Sequence, residues 1–197
     1  VIAVPYSLEN QDLISFCLDK GLKYDTGPEE DVLTRYLVTA DRAKADVIVR
    51  VTADCPLIIP GIVDSAVRLL LDENLDYVHN HGCINGINVE AFTMESFKYV
   101  DRQAKEFYER VHVTPFYYKS HPEAFRIKSI LVPPHSAERE PKVRLCVDTL
   151  NDLIMVRMVY ENLGNETNLI RILDFLKEHP EIVAINNLIR QKEIEEG

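Results

Sequence analysis

Residues Asp46 to Thr52 (Asp-Val-Ile-Val-Arg-Val-Thr) form a nearly continuous β-branched run, the pattern of a strand covered on both faces. It stops at Ala53-Asp54-Cys55-Pro56, where the chain must turn. A strand buried on both sides needs helices above and below it, and the flanking sequence supplies them. Strands are predicted at Val1–Pro5, Leu22–Tyr24, Asp76–His79, Ile87–Thr93, Phe125–Val132 and Val143–Val147. Helices are predicted at Asn10–Lys20, Glu29–Ala43, Pro60–Leu71, Glu95–Tyr108 and Thr149–Leu163, with Gly21 and Gly164 as stop signals. Pro115 leaves Arg110–Lys119 ambiguous, and Pro133–Lys142 reads as a loop. Thr149 with Asp152 three residues on has the form of a capping box. The expected fold is α/β, a mostly parallel sheet with helices on both faces. Residues 1–167 are expected to form this domain, and 168–197 a helical tail broken near Pro180.

A chain of 197 residues, 46% of them hydrophobic, is long enough for one such core. Its net charge of -10 argues against a nucleic-acid partner held through phosphates. None of the four cysteines forms a Cys-x-x-Cys pair; reduced thiols and a cytoplasmic location are expected. No apolar run reaches the ~18 residues of a membrane span.

In a sheet of this kind ligands bind beyond the carboxyl ends of the strands. Asp54 follows the strongest strand, and Asp148 follows Val143–Val147. If those strands are neighbours, the two carboxylates can share a divalent cation, and Mg2+ suits one or two carboxylates completed by water and phosphate oxygens. The alternative is a turn residue and a helix-entry residue. Arg50 can reach a phosphate or a sugar carboxylate from the strand end, or form a buried ion pair. Asp31 and Arg35 are candidates for substrate contact, with a helix-surface pair between them as the alternative. His79-Asn80-His81-Gly82-Cys83 holds metal-ligand types without a recognised spacing and reads as an ordinary loop.

Asp31-Val-Leu-Thr-Arg-Tyr36, Ala45–Ile58, Asn85-Gly-Ile-Asn-Val-Glu-Ala-Phe92, Glu109-Arg-Val-His-Val-Thr-Pro-Phe116 and Leu145-Cys-Val-Asp-Thr149 occur in order along the chain. Together they resemble the spore-coat polysaccharide biosynthesis protein F family, which is similar to cytidylyltransferases that make CMP-activated acidic sugars. The resemblance covers about residues 1–163. It implies a nucleotide-diphospho-sugar transferase fold, a homodimer, and Mg2+-dependent attack of a sugar hydroxyl on the α-phosphate of CTP. It sets Asp54 and Asp148 as the metal carboxylates, and places Asn88, Glu90 and His112 near the pocket of an acidic or amino sugar. Asn88 stands where aspartate is usual, and Ala53 where glycine is common.

In the same comparison Val1–Ser7 resembles the family's second strand. The first strand and the basic, glycine-rich loop that wraps the triphosphate are therefore expected to lack a counterpart here, which would interrupt the sheet and leave neighbouring strands short of hydrogen bonds. An earlier start of the protein, a relative of altered function and a partner chain that fills the gap all satisfy that expectation. Besides a cytidylyltransferase, the residues admit a non-catalytic sugar- or nucleotide-binding module or dimerisation partner. They also admit a glycosyltransferase, although Thr52-Ala53-Asp54 replaces the Asp-x-Asp usual there.

Overall fold

A computed structural model describes residues 1–81, 84–131, 143–165 and 168–190. In chain order the elements are β1 (Ile2–Pro5), α1 (Gln11–Asp19), β2 (Tyr24–Gly27), α2 (Val32–Arg42), β3 (Val47–Arg50), α3 (Pro60–Asp72), β4 (Tyr77–His79), β5 (Glu90–Thr93), α4 (Met94–Gln103), α5 (Phe107–His112), β6 (Ile127–Ser129), α6 (Leu150–Leu163), α7 (Leu169–Glu178) and α8 (Pro180–Val183).

The strands form two pieces. β1 pairs in parallel with β2, and a four-stranded piece runs β3-β5-β4-β6. Only β5 is antiparallel to its neighbours. Among the described residues no helix lies between β4 and β5, so the chain doubles back there instead of crossing over. Between β1 and β3 lies a groove of about 700 Å³ whose walls include Ile2, Pro5, Arg35, Tyr36, Val49 and Arg50. Among the described residues no strand pairs β1 or β2 with the four-stranded piece.

Register explains how the four-stranded piece buries two cores. Ile48, Phe92 and Tyr77 are aligned across β3, β5 and β4. Successive side chains alternate faces, so this row packs with Leu33, Phe97, Val100 and Tyr117 on one side of the sheet. Ala91 and Val78, one residue along, face Ala66, Leu70, Met155 and Ile172 on the other. Two residues beyond the first row, on its own face, the same register aligns Arg50, Glu90 and His79. Residues of α7 and α8, among them Ile172, Leu176 and Val183, belong to the second core.

Three expected elements differ. The helix expected at Glu95–Tyr108 is two helices. Ala104 turns to extended backbone (ψ 120), and Glu106 opens α5 through a capping box with Glu109. The ambiguous stretch after Arg110 ends α5, then turns at Val113 into a π-helical turn, Phe116–Ser120. Val143–Val147 is not a ladder strand: Arg144 makes a single bridge to Asn85, with further backbone bonds from Leu145 N–H to the Asn85 carbonyl and from Val147 N–H to the Asp54 carbonyl. The expected 133–142 loop, and Gly82 and Cys83, lie outside the described residues.

Gly86 makes the Asn85–Arg144 contact possible. Its φ is +102, and a Cβ there would lie 2.2 Å from the Leu145 carbonyl carbon. Gly86→Ala combines backbone strain with a collision against main chain that cannot rotate away. It is expected to cost more than about 1 kcal/mol, read as a lowered urea midpoint with an unchanged slope.

Candidate functional site

After β3 the chain makes a turn closed by Cys55 N–H on the Thr52 carbonyl. This carries Asp54 to the carboxyl end of the sheet. Val147 N–H donates to the Asp54 carbonyl at 2.7 Å, so the segment bearing Asp148 runs directly alongside. Asp54 is half-buried and Asp148 exposed. Two aspartates more than ninety residues apart in sequence thus sit on adjoining loops.

The donor chemistry here suits a hard cation. The thiols of Cys55 and Cys146 are near neighbours of these carboxylates, at 3.6 Å and 3.9 Å. Burial pushes both up, to about 11 for Cys55 and about 12 for Cys146. The carboxylate oxygens of Asp54 and Asp148 are hard donors of the kind Mg2+ takes. Among the described residues, no cluster of three or more His, Cys, Asp or Glu side chains could hold a metal. Mg2+ does not require one, because it keeps water and substrate oxygens.

Asp148 is braced from below. Arg144 reaches its Oδ2 with Nη2 and the Oδ1 of Asp152 with Nε, the latter at 3.0 Å. Asp152 is fully buried. Its Oδ2 accepts the Asp148 N–H at 3.1 Å, the Thr149 N–H at 2.9 Å and the Thr149 hydroxyl at 2.9 Å. Its Oδ1 also accepts from Asn186 Nδ2 at 2.8 Å, and the same amide donates to the Arg144 carbonyl at 3.0 Å. Burial alone would raise the Asp152 carboxyl; the donors from Asn186, Thr149 and the backbone outweigh it and hold it below its ordinary value. The capping box expected from the sequence is present, and it is one corner of this larger arrangement.

A second polar centre lies on the sheet itself. Glu90, 4% exposed, accepts from Arg50 Nη1 at 2.6 Å, the Tyr77 hydroxyl at 2.5 Å and the Thr114 hydroxyl at 2.6 Å, with His81 Nε2 at 3.1 Å. Burial would raise its pKa, but Arg50 and these donors hold it well below the carboxylate range. Arg50 therefore takes the ion-pair alternative. Thr114 reaches Glu90 because Val113 sits at φ +74, ψ -49, with Thr114 N–H on the His112 carbonyl. This is a γ-turn of the strained, positive-φ kind, and for a β-branched residue it costs about 1–3 kcal/mol. Asn88 and His112, each two residues from a member of this centre, are both half-buried.

His79 and His81 serve this centre. The His81 N–H donates to His79 Nδ1 at 3.0 Å, and the two rings pack 4.2 Å apart. Burial, and then the neighbouring His81, push His79 down to about 4. Above pH ~6.5 His79 is neutral in both folded and unfolded chains. Between about 6.5 and 4 only the unfolded chain takes up its proton, so stability falls as pH falls through that window. Melting temperatures of wild type and His79→Asn measured from pH 7 to 4 are expected to converge in slope only outside it.

Asp31 and Arg35 do not form the helix-surface pair entertained above. Asp31 caps α2 through Thr34 N–H and is held by Arg110, whose Nη2 lies 2.7 Å from its Oδ2 and 2.9 Å from Asp101. Arg35 is folded back, its Nη1 donating to the Pro28 and Glu29 carbonyls at 2.6 and 3.1 Å. The spacing of four permits the pair, but the capping geometry turns the Asp31 carboxylate toward α5. Arg35 Nε, Thr39 Oγ1 and Arg50 Nε, whose residues line the groove, have no hydrogen-bond partner among the described residues.

Sequence reasoning passed over Tyr77, Thr114, Arg144 and Asn186. Alternation in β4 would have set His79 beside Glu90, since register and period two put them on one face. No local pattern marks Arg144 or Asn186. Among the described residues no helix is long and apolar enough to cross a membrane.

Comparison with known proteins identifies the family. An uncharacterised protein of Methanocaldococcus jannaschii is 35% identical over the whole of this chain and 80% of its own length. The spore coat polysaccharide biosynthesis protein SpsF of Bacillus subtilis is 27% identical over 88% of this chain and 72% of its own. A cytidylyltransferase structure from Leptospira borgpetersenii superposes with a TM-score of 0.85 at 24% identity, covering 95% of this chain and 79% of that one; at that identity it speaks to the fold. The cytidylyltransferase family model matches residues 15–185. With the nucleotide-diphospho-sugar transferase-like α/β fold and the order of its blocks, this match settles the family: the chain belongs to the cytidylyltransferases, a class of nucleotidyltransferases.

Proposed function

We propose that this cytidylyltransferase transfers CMP from CTP to a hydroxyl of an acidic or amino sugar where the loop after β3 meets the segment before α6. A nucleotide and a sugar as substrates follow from the family. The observation that carries the choice of site is the backbone bond from Val147 to the Asp54 carbonyl, which supports convergence of the Asp54 and Asp148 side chains. Both would hold Mg2+, which when bound offsets triphosphate charge and stabilises the departing pyrophosphate.

The chain's own residues then act as follows. The sugar oxygen bonds to the α-phosphorus while the bond from that phosphorus to the bridging oxygen breaks; the hydroxyl proton passes to water. Asn88 and His112 border the sugar from either side of the Glu90 centre. Glu90 meets four partners of its own, so its part is to hold Arg50, Tyr77, His81 and Thr114 in place. Arg50 stands at the strand end, between this centre and the Asp54 turn. A homodimer in the cytoplasm completes the reading.

The groove between β1 and β3 favours a second reading, in which the chain binds nucleotide or sugar without turnover. Melting curves with Mg2+ and CTP, run beside pyrophosphate release with candidate sugars, separate the two. Ligand at 100 times its dissociation constant adds about 2.7 kcal/mol of stability. A shift accompanied by pyrophosphate release supports transfer, and a shift without release supports the module. No shift at millimolar Mg2+ and CTP overturns transfer and nucleotide binding alike, and no shift with the candidate sugars either overturns the module as well.

A further inference from the structure

We propose that Asp152 is a positioning residue for Asp148, and that Asn186 makes the C-terminal helices part of the same device. The inference rests on the reading of Asp148 as a metal carboxylate and deepens it.

Asp148 is exposed, on a loop that among the described residues makes one isolated bridge, from Arg144 to Asn85. Such a side chain has many rotamers, and holding one of them for a cation costs entropy. The brace from Asp152 reduces that cost in two ways. One oxygen of Asp152 fixes the Asp148 main chain through its N–H. The other holds the Arg144 guanidinium, whose second arm grips the Asp148 carboxylate. A planar fork bonded to two carboxylates sets both position and angle. Arg144 contacts Oδ2 of Asp148, so Oδ1 would be the oxygen offered to a cation. Supporting partners of this kind typically govern metal affinity by 10–100-fold.

Capping alone would need only the Thr149 hydroxyl and the two amides. Yet Asp152 also takes Arg144 and Asn186, at no exposure to water. Asn186 lies 34 residues beyond Asp152 in sequence, past α8. Its amide joins Asp152 to the Arg144 carbonyl. The C-terminal segment therefore reaches Asp148 through two successive contacts.

The test is Mn2+ binding to the full chain, followed by electron spin resonance without substrate, for Asp152→Asn, Asn186→Ala, Arg144→Lys and Asp148→Asn. Asp152→Asn is expected to weaken Mn2+ roughly 10–100-fold. The apparent KM for Mg2+ should rise in parallel, with kcat at saturating Mg2+ changed only a few-fold. Because Asp152→Asn strikes a buried group, Asn186→Ala carries the test if that variant does not fold; it removes two hydrogen bonds remote from the cation and should weaken Mn2+ several-fold. Arg144→Lys keeps the charge but loses the fork, and should fall with them. Folded Asn186→Ala and Arg144→Lys proteins that bind Mn2+ like wild type, while Asp148→Asn does not, overturn the positioning role alone. If Asp148→Asn also binds normally, the metal assignment fails and this inference fails with it.

Discussion

Glu90→Ala is expected to lower the unfolding free energy by about 3–5 kcal/mol, the usual cost of removing one member of a buried ion pair. Glu90 is 4% exposed, and its loss leaves Arg50 charged with no carboxylate at 2.6 Å. The Tyr77 and Thr114 hydroxyls lose their acceptor as well. Tyr77 is fully buried and Thr114 is 2% exposed, so water cannot readily replace the acceptor they lose. Arg50→Met with Glu90→Leu should recover part of the loss, since no unpaired buried charge remains. The pH dependence has a definite sign. Donors hold the folded Glu90 carboxyl below its ordinary value, so its stabilisation is complete above the usual carboxylate range and drains away as pH falls beneath it. Urea titrations at neutral pH in which Glu90→Ala stays within about 1 kcal/mol of wild type would show that the centre contributes little, against the expectation for a buried charge.

Asp54→Asn should behave in the opposite way, leaving stability nearly unchanged and removing catalysis. Its side chain lies beyond the strand end, and the bond that joins its segment to Val147 uses its carbonyl, which the substitution retains. Loss of one carboxylate from a site that stabilises charge in phosphoryl transfer is expected to reduce kcat/KM about 10²–10³-fold, or roughly 3–4 kcal/mol of transition-state stabilisation. Mn2+ affinity should fall with it. Full turnover by a folded Asp54→Asn protein would move the site elsewhere in the molecule.

The strongest helices were readable because each carries its own signals. Pro60 opens α3, Thr149 and Asp152 cap α6, and Gly21 and Gly164 take positive φ where the helix must stop. Those preferences act over a turn or two and need no tertiary partner. The same local logic failed at Glu95–Tyr108, where helical periodicity continues through Ala104 but the Glu106 and Glu109 capping box restarts the chain. It failed again at Val143–Val147. There an apolar run with the look of a strand lies against Asn85 and Asp54 at isolated points instead of joining a ladder.

Asp54 and Asp148 could be named from the chain alone, because each follows an apolar run and precedes a turn or helix. Their adjacency could not, since it depends on one backbone bond between segments more than ninety residues apart. The supports were hidden for the same reason. Arg50 finds Glu90 only through strand register, and Asn186 finds Asp152 only when the last helices pack on the second core. Periodicity and capping are short-range forces written in neighbouring residues. Which charges meet inside a protein is decided by how the sheet and helices close around them, because a buried charge is stable only where that closure brings it a partner.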